Sequence, residues 1–231
     1  MASGATMLPQ AAAVDVQTAA ERLARRRFVG GPPGSFEHDG RMQLVALLRA
    51  GMKPSSRVLD VGCGALRGGY WLIHFLDPGC YHGIEPNREM LAEGIRTFLE
   101  PGLLARAEPS FSHNDDWDFS VFGVDFDFVM ARSIWSHAAK PQIAAMLDSF
   151  SATAAPGGVM LASYHRARLV GSRRDYRGAA WRGRSHESDS KGDVAHSFRW
   201  IQKQCALRGL TVREPHRAEF RHQRWLRIAR A

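Results

Sequence analysis

Val58-Leu59-Asp60-Val61-Gly62-Cys63-Gly64 is the stretch whose reading decides the fold. Three aliphatic residues around one aspartate make a short β-rich run, and two glycines one residue apart then turn the chain tightly. In an open parallel sheet, ligands bind outside the carboxyl ends of the strands where the strand order reverses, and the first strand is where that happens. A carboxylate followed by a glycine turn at that point predicts a ligand site together with the strand.

Downstream the same alternation repeats. Residues 70–75 continue as an apolar helix, Tyr81-His82-Gly83-Ile84-Glu85 is the next strand, and residues 88–99 are the next helix. Pro101-Gly102 punctuates, a weak strand is predicted over 107–112, and a better defined one over 126–131. A helix over 141–151, a turn at Pro156-Gly157 and a fifth strand over 159–164 follow. Strands alternating with helices at this spacing predict parallel β-α-β units, an α/β fold with helices on both faces.

The flanks are less regular. Residues 1–13 read as an Ala-rich leader, 14–27 as a helix, and Gly30-Gly31-Pro32-Pro33-Gly34 breaks the chain before a helix over 38–50. The domain proper is therefore expected over 28–231, with 1–27 as a leader and helix. Residues 165–195 hold Gly, Ser, Arg and Asp with no apolar period, as lid-like loops do. A helix through Phe198, Ile201 and Cys205 and two strands, 210–213 and 222–228, close the chain. No internal repeat is present.

The 231 residues suit one α/β domain, and 45% hydrophobic with 23% charged excludes collagen-like, disordered and disulfide-scaffold classes. The longest uncharged apolar stretch near the centre, residues 68–76, falls short of the roughly 20 residues of a membrane span. The N-terminus lacks an early Lys or Arg, and Pro9, Gln10 and Asp15 interrupt any apolar run, so no secretory signal is expected. Three widely spaced cysteines, Cys63, Cys80 and Cys205, fit neither a disulfide framework nor a zinc site, which points to a reducing cytoplasm. Net charge is +8, concentrated in residues 161–231, where 17 Lys and Arg face 6 Asp and Glu. That basic third keeps a polyanionic partner in play, although dispersed arginines usually form a solvated face.

Two cofactors compete for the first turn. A dinucleotide fingerprint needs a third glycine where this chain has Arg67. Asp60, two residues before the first glycine, suits a cationic aminoacyl ligand better than a pyrophosphate. Glu85 ends the second strand, 21 residues beyond Gly64, where a carboxylate accepts from ribose hydroxyls. These features favour S-adenosylmethionine.

At this point the chain resembles the class I S-adenosylmethionine-dependent methyltransferases. Residues 58–64 look like their first motif, Gly83-Ile84-Glu85-Pro86-Asn87 like the second, and Asp115-Asp116-Trp117 like the adenine-contacting segment after the third strand. Residues 126–133 resemble the fourth strand, 155–159 the turn into the fifth, and 220–228 the last strand of a bacterial small-molecule branch. The likeness spans about residues 28–229, with one departure: Leu66 stands where many members have a third glycine, and the glycines shift to Gly68-Gly69. It implies a Rossmann-like sheet of seven strands with the last antiparallel, S-adenosylmethionine as cofactor, and methyl transfer.

Carried onto this chain, the resemblance places Asp60 near the methionine amino group and Gly62, Cys63 and Gly64 against the methionine moiety. Glu85, with Pro86 and Asn87 beside it, would serve the ribose. Asp116 would accept from the adenine amino group, Trp117 would stack on the ring, and Arg132 and Ser133 would meet the cofactor's middle. Ala131-Arg132 stands where metal-using relatives place ligands, so no metal is expected. An alcohol acceptor needs a base, for which His137 and His165, after the fourth and fifth strands, are the candidates. Trp135, Tyr164, Tyr176 and Trp181 are candidates to line an aromatic acceptor pocket. The leading expectation is O-methylation of a small molecule. Methylation of RNA or another polyanion is the second, and a non-catalytic S-adenosylmethionine-binding protein the third.

Overall fold

The computed structural model describes residues 14–168, 173–188, 192–215, 219–220 and 223–231. Helices α1 (Val16–Ala24) and α2 (Phe36–Arg49) precede β1 (Val58–Val61), α3 (Gly69–Phe75), β2 (Tyr81–Ile84), α4 (Arg88–Phe98), α5 (Pro101–Ala107) and β3 (Ser110–Ser112). Then come β4 (Phe126–Ala131), α6 (Lys140–Thr153), β5 (Ala154–Arg166), β6 (Ala195–His196), α7 (Phe198–Ala206), β7 (Leu210–Arg213), β8 (Glu219–Phe220) and β9 (Gln223–Arg230).

The main sheet runs β3-β2-β1-β4-β5-β9-β7, with β6 beside β5 and β8 beside β9. Pairings from β3 to β5 are parallel, and β9 is antiparallel to both β5 and β7. The chain builds outward from β1 to β3 and then returns to lay β4 on the other side of β1. The order therefore reverses between β1 and β4, above whose carboxyl ends a crevice must open.

Side chains alternate between two apolar layers because strand residues point to opposite faces. Val58 joins the layer with Phe36, Leu47, Leu72, Leu91 and Phe98, whereas Leu59 joins Ile143, Met146, Phe150 and Ile201. Helices on both faces follow from strands that are apolar on both faces. Val16, Ala19, Ala20 and Leu23 of α1 lie in the same apolar cluster as Val58, so α1 packs into the body of the fold.

Three local differences from the sequence reading have simple causes. Pro101 opens α5 where punctuation was predicted, since the first helical turn needs no N–H from it. β5 begins at Ala154, and a register shift against β4 between Phe126 and Phe128 lets Pro156-Gly157 lie within the strand. His165 and Arg166 pair with Ala195 and His196, so the ends of the long loop close on each other. Leader residues 1–13, loop residues 169–172 and 189–191, and residues 221–222 of the last predicted strand lie outside the described residues. Among the described residues no helix is long and apolar enough to cross a membrane.

Candidate active site

The site begins where β1 and β2 end side by side. Asp60 is 3% exposed, and the Tyr81 hydroxyl donates to its Oδ2 at 3.0 Å. Burial pushes the Asp60 carboxyl up to about 7; the Tyr81 hydrogen bond opposes this and the nearby Glu85 adds to it. Beyond Asp60, the N–H groups of Gly62 and Cys63 both donate to the Ile84 carbonyl, at 2.8 and 3.0 Å, which folds the turn over the end of β2. Gly62 has φ +69°, and a Cβ there would sit 2.3 Å from Ile134 Cδ1. Glycine takes this backbone without strain, and any side chain there would have to displace the Ile134 side chain.

Glu85 is bound to the same turn. Its Oε2 accepts from Gly64 N at 2.9 Å and its Oε1 from Asn87 N at 2.8 Å. Burial raises the Glu85 pKa, and those two backbone donors hold it back. Each oxygen keeps a second lone pair for a ligand.

A cleft of about 320 Å³ opens over this turn, lined by Asp60, Gly62, Cys63 and Gly64 on the sheet side and by Asp39, Gln43 and Arg67 opposite. A second chamber shares Phe28, Gly62, Gly64, Arg132, Ser133 and His137 with it and continues past Glu85, Pro86, Asn114, Asp115, Trp117 and Trp181. The two form one cleft with a charged end and an aromatic end. Arg67, in the dinucleotide glycine position, is a strut: its Nη1 meets Asp39 Oδ2 at 3.0 Å, and its guanidinium lies 4.9 Å from the Phe36 ring centre.

The predicted cofactor residues mostly converge here. Arg132 and Ser133 follow β4 into the cleft, where Ser133 N donates to Ser163 Oγ at 2.7 Å and Gln223 Nε2 donates to Ser133 Oγ at 3.0 Å. Asn87 stands at the margin, its side chain accepting from Met90 N at the start of α4. Trp117 lines the aromatic chamber with φ +67° and stacks on Trp181 at 6.1 Å between ring centres.

Asp116 is placed apart from these residues. It is exposed and outside the lining, because its Oδ1 accepts from Asp118 N at 3.1 Å in a local turn. Asn114 and Asp115 line the chamber instead. Asn114 Nδ2 donates to the Asp118 carbonyl, while its Oδ1 is buried with no hydrogen-bond partner among the described residues.

The base and acceptor-pocket candidates separate sharply. His137 lines both chambers. His165 does not: Arg173 Nη1 lies 2.9 Å from its Nδ1 and Asp193 Oδ2 lies 2.8 Å from its Nε2. With Arg donating to one nitrogen and a carboxylate accepting at the other, no lone pair is left for a substrate proton. Trp135 is fully buried in the apolar layer with Ile143 and Phe150, and Tyr164 is equally buried, its hydroxyl donating to Glu214. Tyr176 bonds the Ala180 carbonyl away from the cleft. Of the four aromatics expected at an acceptor pocket, Trp181 alone lines the cleft. No group of three His, Cys, Asp or Glu among the described residues is placed to hold a metal ion.

Several lining residues were not singled out from the sequence: Phe28, Asp39, Asn114, Ile134, Gln223 and Arg184. Asn114 stands next to the Asp115-Asp116-Trp117 segment, whose charged residues carry the stronger sequence signal. Ile134 lies between the candidates Ser133 and Trp135, and Gln223 lies in the stretch resembling the last strand; Phe28, Asp39 and Arg184 reach the cleft from segments whose sequence carries no signal for it.

A family model described as a methyltransferase domain matches residues 36–214. Among solved structures, DesVI of Streptomyces venezuelae superposes with TM-score 0.64 at 17% identity, covering 94% of this chain and 99% of that one. The magnesium protoporphyrin IX methyltransferase of Synechocystis PCC 6803 with bound SAM gives TM-score 0.63 at 17% identity, covering 96% and 100%. The sugar N-methyltransferase KedS8 of Streptoalloteichus sp ATCC 53650 gives 0.58 at 17%, covering 100% and 98%. At such identity these likenesses establish the fold.

Proposed function

This chain belongs to the methyltransferase-domain family, and we propose that it uses S-adenosylmethionine to methylate a hydroxyl of a small-molecule acceptor. The observation that carries the cofactor is the pair of buried carboxylates, Asp60 and Glu85, on either side of a glycine turn at the ends of adjacent strands, with Glu85 bound to that turn through Gly64 N. The residues fit the group. Glu85 has lone pairs for two ribose hydroxyls, and the buried Asn114 Oδ1 needs a donor of the kind an adenine amino group provides. Asp60, at the charged end, suits an ammonium. The aromatic chamber with Trp117 suits a purine.

When bound, S-adenosylmethionine supplies a methyl group on a cationic sulfur, already a good leaving group. The protein's own work is then to hold the acceptor in line, exclude water and take a proton. Arg132, Ser133 and His137 occupy the junction of the two chambers, where an acceptor would meet the reactive carbon. His137 is the proposed base, and Trp181 and Arg184 from the long loop would cover the site. Solved structures of this fold include a porphyrin and a sugar methyltransferase, which supports a small-molecule acceptor. The reading of a cytoplasmic enzyme rests on Cys63, Cys80 and Cys205, all free thiols.

Calorimetry with S-adenosylmethionine and S-adenosylhomocysteine tests the cofactor: both should bind, and binding of NAD but of neither of these would overturn the reading. Transfer of labelled methyl from the cofactor to hydroxyl-bearing small molecules tests the reaction.

A further inference from the structure

His137 and the long loop are bonded in both directions, once through the His137 backbone and once through its ring. Arg182 N donates to the His137 carbonyl at 2.9 Å, and His137 Nδ1 lies 2.8 Å from the Arg182 carbonyl oxygen. A carbonyl only accepts, so Nδ1 must carry the proton, and in the neutral ring the lone pair is then on Nε2. We propose that the Trp181-Arg182-Gly183 segment is the positioning element of the reaction, fixing His137 in the Nδ1–H tautomer so that Nε2 is the proton acceptor. The proposal rests on the reading of His137 as base to a hydroxyl acceptor.

Three features make this segment a fitted support. A Cβ on Gly183 would lie 2.3 Å from His137 Nδ1 and 2.7 Å from its Cγ, so any other residue at 183 would drive the ring out of place. Trp181 braces the ring from the side, 5.6 Å between centres, and its Nε1 donates to the Gly183 carbonyl at 3.1 Å. The loop is also tied to the segment around His137 elsewhere: Val194 N donates to the Ser136 carbonyl at 2.7 Å, and Lys140 Nζ meets Asp175 Oδ2 at 2.6 Å.

The consequence is a coupling of two tasks. Trp181 and Arg184, on the segment and just past it, line the aromatic chamber, so the chain that covers the site also orients the base. In the step, the acceptor O–H bond would break with its proton passing to His137 Nε2, and the oxygen's electron pair would form the new bond to the methyl carbon as the carbon–sulfur bond breaks and its pair leaves on the sulfur, now a neutral thioether. The imidazolium so formed keeps its Nδ1–H on the Arg182 carbonyl, which stabilises the charge. Without the segment the ring is free to turn and to adopt the other tautomer.

The test reads the tautomer directly. Long-range proton–nitrogen NMR of the full chain, labelled with ¹⁵N-histidine and with His137 assigned by His137→Gln, should show Nδ1 protonated and Nε2 bare in the neutral ring. Gly183→Ala should abolish that signature while S-adenosylhomocysteine still binds, and should lower turnover by about 100-fold, the low end of what a general base contributes. An Nε2–H ring in the wild type, or an unchanged ring in Gly183→Ala, overturns the proposal. If Gly183→Ala does not fold, the wild-type spectrum alone decides. No turnover enters the tautomer measurement, so a wrong assignment of the reaction would show in the methyl-transfer assay and not here.

Discussion

The Tyr81 hydroxyl donates to Asp60 Oδ2 at 3.0 Å across adjacent parallel strands, and this bond partly offsets the rise in the Asp60 pKa that burial causes. The folded pKa of about 7 lies above the ~3.9 of an unfolded aspartate. Between those values the native state holds a proton that the unfolded chain has released, so the contribution of Asp60 to stability is present below about pH 4 and is lost as pH rises through about 7. Denaturant unfolding from pH 4 to 8 should therefore show the wild type losing stability relative to Asp60→Asn across that window. Tyr81→Phe, which removes the opposing bond, should extend the loss to higher pH. Parallel wild-type and Asp60→Asn curves would contradict the assignment.

Glu85 holds the first turn as well as the proposed ribose. Glu85→Ala leaves the Gly64 and Asn87 N–H groups without their acceptor and should weaken S-adenosylhomocysteine binding by about 1–3 kcal/mol. Glu85→Gln retains one acceptor oxygen and should fall between. Calorimetry that finds Glu85→Ala binding at wild-type strength would remove Glu85 from the cofactor site.

For the base, the two histidines predict opposite results. His137→Ala should lower turnover by roughly 100-fold or more with cofactor affinity nearly kept, since proton removal matters in the transition state. His165→Ala should cost stability through the lost contacts to Arg173 and Asp193, with the smaller effect on turnover. A larger turnover loss at His165 would reverse the assignment.

The excess of basic residues after position 160 is the one argument for a polyanion, and part of it is already neutralised. Arg208 is paired with Asp148 at 2.7 Å, and Arg166 and Arg224 share Glu214 at 2.6 and 3.2 Å. Filter binding to single-stranded RNA should show weak association at low salt, vanishing near physiological salt. Tight, sequence-selective binding there, with log affinity falling by about 0.7 per phosphate contact for each tenfold rise in salt, would instead favour a nucleic-acid substrate.

What the sequence determined by itself is local or periodic. The strand and glycine turn at 58–64, the acid ending β2, and the alternation of strands and helices each depend on residues within a few positions of one another. That Asp60, Gly62, Gly64 and Glu85 come together at one cleft was legible because a strand's end and its turn are built from the same few residues. Tertiary structure decided the rest. Trp135 and His137 are two residues apart, yet one is a core side chain and the other lines the cleft, a division set by how the turn after β4 packs under the apolar layer. Asp116 lies outside the cleft, its carboxylate closing a turn onto Asp118, while Asn114 lines it. His165 is held by Arg173 and Asp193 outside the cleft lining, and His137 is bonded to Arg182, 45 positions away. No pattern along the chain encodes such partners, because a loop without an apolar period takes its course from the surface it lands on.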